Sequence, residues 1–542
     1  MKHLGGSQWN AGAGRKGVSW GKTPGRFGAV LVSGALVLGL AGGQTPSTKA
    51  AQVASAAQAA KVDPGISRAS GATVSVIVQA SPGLTAEASA AVKAHGGTVG
   101  VALPVVDGFQ ATISAGALPA LAASSSVMAI TANRQAQFAQ ASSDSTSSQS
   151  DFTTSTGAQQ AWSAGDTGKG VGVAIIDTGV SNMNDLSGRV VWGPDLSGEP
   201  SNVDTFGHGT VMAGVIGGSG ADSASSPSGA NSGVAPGATI IAVKTAGYNG
   251  VVDVSTILQA MTWVDLTRAQ FNIRVLNLSW GTPSTQNPTI DPLNFAVERL
   301  WDDGIVVVVA AGNGGPETRS ITKPGDDPKV LTVGAYNDEN LTIPAWSSRG
   351  PTRAGVAKPD LVAPGRTLVA TRSFGSNVEV NNPKALVSPS YIKGSGTSEA
   401  TAVTSGLAAL LIAAHPSYTP DQVKAVLVGT ASPLRGYSRD AQGAGRVQVA
   451  AALAAAPGPA VWQATVATGL GSIEASRAGN HVTAFCNGEP TVIRGEMNVS
   501  CQPWDPAAFT GGSWTGGSWT GGSWTGGSWT GGSWTGGSWT GG

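Results

Sequence analysis

Cysteine is nearly absent from this chain: Cys486 and Cys501 are the only two in 542 residues, and both lie near the C-terminal end. That excludes a disulfide-built framework and thiolate metal clusters over most of the length. In an exported protein the first reading of so close a pair is a local disulfide, and a metal site would need more ligands. Charge is also scarce. Charged residues make up 12% of the chain, and 32 basic residues balance 32 acidic ones. No basic surface suited to nucleic acid follows from such a composition, so nucleic acid is not an expected partner. Long apolar runs are missing too. The stretch Phe27 to Gly43 is short for a membrane span, and no second one follows. Histidine occurs only at His3, His95, His208, His415 and His481.

What the chain has in quantity is glycine, 78 residues of it, and small side chains generally. The length allows two to four domains. Lys2, Arg15, Lys16, Lys22 and Arg26 precede the apolar stretch with no acidic residue among them, so residues 1–43 read as a secretory signal. A retained N-terminal anchor is the alternative. Residues 44–70 read as an alanine-rich linker. From Val74 the pattern turns to strand, helix, two strands, helix and strand, so residues 71–134 are expected to form a small α+β domain of ferredoxin-like order. Residues 135–158 are mostly Ser, Thr, Gln and Ala and are expected to be a mobile linker, suited to proteolytic processing.

Residues 159–456 alternate strands and helices. Strands are expected at 171–176, 239–244, 274–279, 304–310 and 330–334, with helices at 210–217, 254–269, 291–302, 398–414 and 420–431. Apolar strands alternating with helices imply an α/β fold, a mostly parallel sheet covered on both faces. Residues 457–509 read as a small β extension. Residues 510–542 carry six perfect SWTGG repeats. Their period of five suits neither helix nor strand. One reading is a disordered low-complexity tail; another is cell-wall or polysaccharide binding by stacked indoles.

Three local patterns carry chemistry. The apolar strand GVGVAIID ends in Asp177-Thr178-Gly179, and a charge at the carboxyl end of a buried strand is where open α/β sheets place their sites. His208 sits between glycines in TFGHGTVMAG, just before a small-residue helix. Ser398 lies in GSGTSEATA, which leads into an alanine- and leucine-rich helix that Pro416 stops. Each has a bland reading by itself: a strand-end Asp, a helix-start His, a capping Ser. Together they supply a nucleophile, a base and a carboxylate to orient the base.

In that order these blocks resemble the signature motifs of subtilisin-like serine proteases, the subtilases, a family whose Asp, His, Ser chain order is well established. The resemblance extends over residues 150–456 and includes AAGNGG, residues 310–315, and WSSRGPTRAGVAKPDLVAPG, residues 346–365. It implies a triad of Asp177, His208 and Ser398 with Asn313 in the oxyanion hole. It implies specificity-pocket walls at Ser279-Trp280-Gly281 and Ala310-Ala311-Gly312, with Thr322 at the base where many subtilases have glycine. It also implies a secreted endopeptidase acting on polypeptides, made as a precursor whose own propeptide, residues 71–134, first inhibits it. No cofactor is required for the chemistry. Structural calcium is common in the family, but Asp222 and Asn231 in the loop 217–234 are too few to assign a site. There are departures: Glu399 follows the nucleophile where the family often has Met, Val211 replaces a second His, and Ala402-Val403 replace a Pro-His pair. The competing reading is a catalytically silent surface or binding protein that keeps the fold.

Overall fold

The computed structural model describes residues 61–62, 66, 72–133, 135–138, 149–223, 231–457, 483–486 and 489–492. The signal 1–43, nearly all of the linker 44–70, Cys501 and the SWTGG tail therefore lie outside the described residues. Of the extension 457–509, little is described beyond the antiparallel strands Thr483–Cys486 and Glu489–Val492.

Four strands open the described chain: β1 (Thr73–Ala80), β2 (Thr98–Leu103), β3 (Gly108–Ser114) and β4 (Val127–Ala132). They form one antiparallel sheet in the order β2-β3-β1-β4, with α1 (Thr85–Ala94) and α2 (Leu118–Ala122) in the two crossings. Side chains of a strand alternate between faces. Val76 and Val78 of β1 accordingly pack with Ala88 and Val92 of α1 and Leu118 and Leu121 of α2, while Ile77 between them joins the larger core of the molecule. Both faces are thus covered, in keeping with the apolar triplet Val76-Ile77-Val78 at the centre of β1.

The larger core surrounds a seven-stranded sheet in the order β14-β13-β12-β10-β6-β8-β7. Its members are β6 (Gly172–Asp177), β7 (Val190–Asp195), β8 (Thr239–Lys244), β10 (Ile273–Leu278), β12 (Val306–Ala310), β13 (Leu331–Tyr336) and β14 (Leu361–Pro364), every pair parallel. The side chains of β6, β12 and β13 are buried throughout, as a sheet packed on both faces requires. Around it pack α3 (His208–Gly217), α4 (Val254–Thr267), α5 (Pro292–Asp302), α6 (Thr397–Ala414) and α7 (Pro420–Gly429). α6 is apolar and long enough to cross a membrane, but 89% of its most apolar window is buried inside the molecule, so it serves as a core helix.

One expectation is corrected. The expected mobile linker, residues 135–158, holds regular structure among its described residues: β5 (Gln135–Phe138) is the middle strand of a three-stranded antiparallel sheet, between β9 (Val251–Asp253) and β11 (Trp280–Gly281). Phe152–Ser155 is a helical turn capped by Asp151, whose Oδ1 accepts the Thr154 N–H at 3.1 Å. So short a strand escapes a pattern-based reading, and what defines it is main-chain pairing with distant segments.

Candidate active site

Parallel strands direct all their carboxyl ends to one edge, and there an α/β sheet gathers its reactive groups. Asp177 ends β6, Ser279 follows β10, and Ala310 ends β12. The helices α3 and α6 begin beside that edge with His208 and Thr397-Ser398.

His208 is held by both oxygens of Asp177: its Nδ1 lies 2.8 Å from Oδ1 and 3.0 Å from Oδ2. Asp177 Oδ1 also accepts the Thr178 N–H at 2.8 Å. Both residues are buried, with 3% and 1% of their surface exposed. Burial alone would lower the His208 pKa. The charge and hydrogen bond of Asp177, with smaller help from Glu399 and Asp204, outweigh burial and raise it. The close fit has a local cause. A Cβ on Gly209 would strike the Gly179 carbonyl and come within 3.1 Å of Asp177 Oδ1. Gly207, at φ 104°, makes the left-handed turn into α3.

Asp204 is a part of the site that sequence reasoning missed. α3 has no side-chain cap on Gly207. Asp204 supplies one from three residues upstream, accepting the Gly207 N–H at 2.6 Å, the Thr210 N–H at 2.8 Å and the Thr210 hydroxyl at 2.8 Å. It accepts the Thr178 hydroxyl at 2.7 Å as well, tying the turn of His208 to the strand end of Asp177. Burial raises its pKa in spite of these donors. A carboxylate shortly before a helix start was the available signal.

Ser398 is the second residue of α6 and is 1% exposed. Its Oγ donates to the Ser279 carbonyl at 2.9 Å, and the Ser279 hydroxyl donates to the Ser398 carbonyl at 3.0 Å. Asn277 Nδ2 donates to Ser279 Oγ, and Ser405 Oγ donates to Asn277 Oδ1, each at 2.9 Å. This buried relay fastens the first turns of α6 to the end of β10. Asn313 Oδ1 accepts the Thr397 N–H at 3.0 Å and the Thr397 hydroxyl at 2.9 Å. Its Nδ2 therefore faces the other way, towards Gly396, where a Cβ would lie 3.3 Å from it.

The expected pocket residues also come together. The Thr322 N–H donates to the Ala311 carbonyl at 3.0 Å, and its side chain packs against Gly281 and Gly312. A Cβ on Gly312 would sit 2.9 Å from both Thr322 Cγ2 and Thr322 Oγ1. Trp280, within β11, is buried.

No group of three or more His, Cys, Asp or Glu gathers as a metal site among the described residues. Near the loop 217–234, Asp222 accepts Asn184 Nδ2 at 2.7 Å, and Asp185 accepts the Asp222 N–H and the Tyr391 hydroxyl. Both carboxylates thus accept hydrogen bonds from within the chain. His95 caps α1, far in sequence from the triad.

The model of the subtilase family matches residues 168–446. Serine protease AprX of Bacillus subtilis is 38% identical over 297 residues, which cover 52% of this chain and 65% of AprX. Subtilisin Savinase of Lederbergia lenta is 36% identical over 295 residues, which cover 54% of this chain and 95% of that protein. Among solved structures, fervidolysin of Fervidobacterium pennivorans, described as a keratinolytic enzyme related to subtilisin, superposes with a TM-score of 0.57 at 22% identity. That superposition covers 73% of this chain and 63% of fervidolysin.

Proposed function

This chain belongs to the subtilase family, and on that premise we propose that it is a secreted serine endopeptidase made as a precursor that its own N-terminal part holds closed. The observation that carries the reading is the grip of Asp177 on His208, at the sheet edge where Ser398 opens α6. In the proposed reaction Ser398 Oγ attacks the peptide carbonyl carbon. His208 takes its proton and later hands it to the leaving amine. Asp177 fixes the imidazole and balances its positive charge. Asn313 Nδ2 and the Ser398 N–H stabilise the oxyanion. For this to begin, the Ser398 hydroxyl turns from the Ser279 carbonyl towards His208, an alignment that commonly tightens only when substrate arrives. No cofactor enters the chemistry.

The precursor reading is supported by β5. An extended backbone already lies between β9 and β11, paired with Trp280 and Gly281 on one side and with residues 251–253 on the other. A substrate recognised by strand addition would use those same main-chain groups. The chain that reaches this cleft comes directly from β4 of the four-stranded domain. That domain also meets a helix packed around the seven-stranded sheet: Arg299 of α5 donates to the Pro104 carbonyl at 2.9 Å. The domain 71–134 thus acts as the inhibitor propeptide, and the segment after β5 as the processing region. Secretion is supported by the basic, then apolar, pattern of residues 1–43. The SWTGG tail remains a candidate for wall or polysaccharide contact through its indoles.

The test is a fluorophosphonate probe, which labels only an activated serine. The wild type, once processed, is expected to label and the Ser398→Ala variant is not. In a host without other proteases, Ser398→Ala is expected to accumulate at full precursor size less the signal. Normal processing of that variant would rule out self-cleavage. An unlabelled wild type would favour the silent-fold alternative.

A further inference from the structure

Glu399, directly after the nucleophile, has no role in the reaction as written so far. Its side chain is 1% exposed, and its Oε2 has no hydrogen-bond partner. The atom is not idle in position. A Cβ on Gly396 would lie 2.7 Å from Glu399 Oε2 and 3.3 Å from Asn313 Nδ2. The carboxyl and the amide therefore converge on one small volume, kept open because residue 396 is glycine. A cavity on the other side of the carboxyl is walled by His208, Val211, Ile392 and Lys393. An unpartnered polar atom so deeply buried would be costly unless something uses it.

We propose that the Glu399 carboxyl, in its acid form, donates a third hydrogen bond to the oxyanion, beside Asn313 Nδ2 and the Ser398 N–H. This rests on the protease reading above. When Ser398 Oγ bonds to the carbonyl carbon, the C=O electron pair moves to oxygen and the serine proton moves to His208. Glu399 keeps its own proton throughout and only directs it at the new anion. As a carboxylate it would do the opposite and repel that charge.

The surroundings favour the acid form. Burial raises the Glu399 pKa most, Asp177 raises it further, and the cationic form of His208 opposes them without prevailing. Lys393, on the strand Tyr391–Gly394, lines the same cavity as Glu399. A neutral carboxylic acid in an apolar site is a known form of oxyanion donor. Turnover should then rise with pH as His208 loses its proton and fall again as Glu399 loses its own.

The experiment compares kcat against pH for the processed wild type, Glu399→Gln and Glu399→Leu on a soluble peptide, with rates expressed per fluorophosphonate-labelled site so that unfolded protein is not counted. The wild type is expected to fall on the alkaline side. Glu399→Gln keeps an N–H donor that cannot ionise, and is expected to be slower at the optimum but to lose that fall. Glu399→Leu should lower kcat by roughly 100- to 1000-fold with little change in KM, the range for loss of one oxyanion donor. An alkaline fall that persists unchanged in Glu399→Gln, or a Glu399→Leu enzyme that matches the wild type, overturns the role of Glu399 alone. A wild type that neither labels nor turns over overturns the protease reading beneath it.

Discussion

At the scale of single residues, the site works by making each side chain answer to two neighbours. Thr322 is an example with a measurable outcome. It fills space between Gly281 and Gly312, the two glycines of the proposed pocket walls. Replacing it with glycine should deepen the pocket. Thr322→Gly is expected to raise kcat/KM for Phe and Tyr at the position before the cut bond, relative to Ala, Leu and Met. A change of a few methylenes is worth about 1–3 kcal/mol, so the shift should be graded. A peptide series varied at that position measures it, and an unaltered ranking would remove Thr322 from the pocket floor. The proposed triad residues Asp177, His208 and Ser398 were singled out in the sequence because each sits in a short run of glycine and small residues. Asp204 and the protonation of Glu399 were not. Their roles depend on burial and on partners such as Thr178 and His208, which adjacency in sequence does not disclose.

At the scale of elements, the joint between β13, β14 and α7 shows how this low-charge chain uses the charges it has. Asp360, just before β14, lies 2.7 Å from Lys358 Nζ and 3.1 Å from Lys424 Nζ. It also accepts the Thr332 N–H at 2.7 Å. Lys424, on α7, donates as well to the Val330 carbonyl at 2.9 Å, and burial brings its pKa down to about 8. Burial by itself would raise the Asp360 pKa, but Lys358, Lys424 and the hydrogen bonds hold it below the ordinary value. A depressed carboxyl contributes stability that is present above its unfolded pKa and is lost as pH falls through its folded one. Asp360→Ala leaves two buried cations facing each other and should cost about 3–5 kcal/mol at neutral pH. The cost should shrink in acid, below the unfolded carboxyl pKa of about 3.9, where the wild type loses the same interaction. Chemical denaturation of both proteins at neutral and acidic pH checks this, and an equal cost at both would exclude an ionic origin. Strand and helix periods made β6, β10, α4 and α5 readable from apolar spacing. The short strands β5, β9 and β11 carry no such signal, because what defines them is pairing between segments more than a hundred residues apart.

At the scale of the whole molecule, the four-stranded domain and the seven-stranded core are joined through β5, which begins three residues after β4 ends. Gln137 is its central pairing point, opposite Gly281 on one side and Val251 on the other. Gln137→Pro removes an N–H from the middle of a three-stranded sheet. It is expected to loosen the self-inhibited state, so that freshly made precursor cleaves a soluble peptide sooner than the wild type does. An unchanged lag in a time course would mean that the strand is not what closes the cleft. The arrangement also carries a consequence for competition. A strand tethered this closely meets its cleft at an effective concentration on the order of millimolar, set by the tether and not by how much protein is present. On the proposed precursor reading, diluting the protein leaves that figure untouched, and an incoming polypeptide must rival it to displace β5. Raising the supply of substrate is therefore a poor way to open this molecule; cutting the tether converts β5 into an ordinary dissociable ligand, and dilution then frees the cleft.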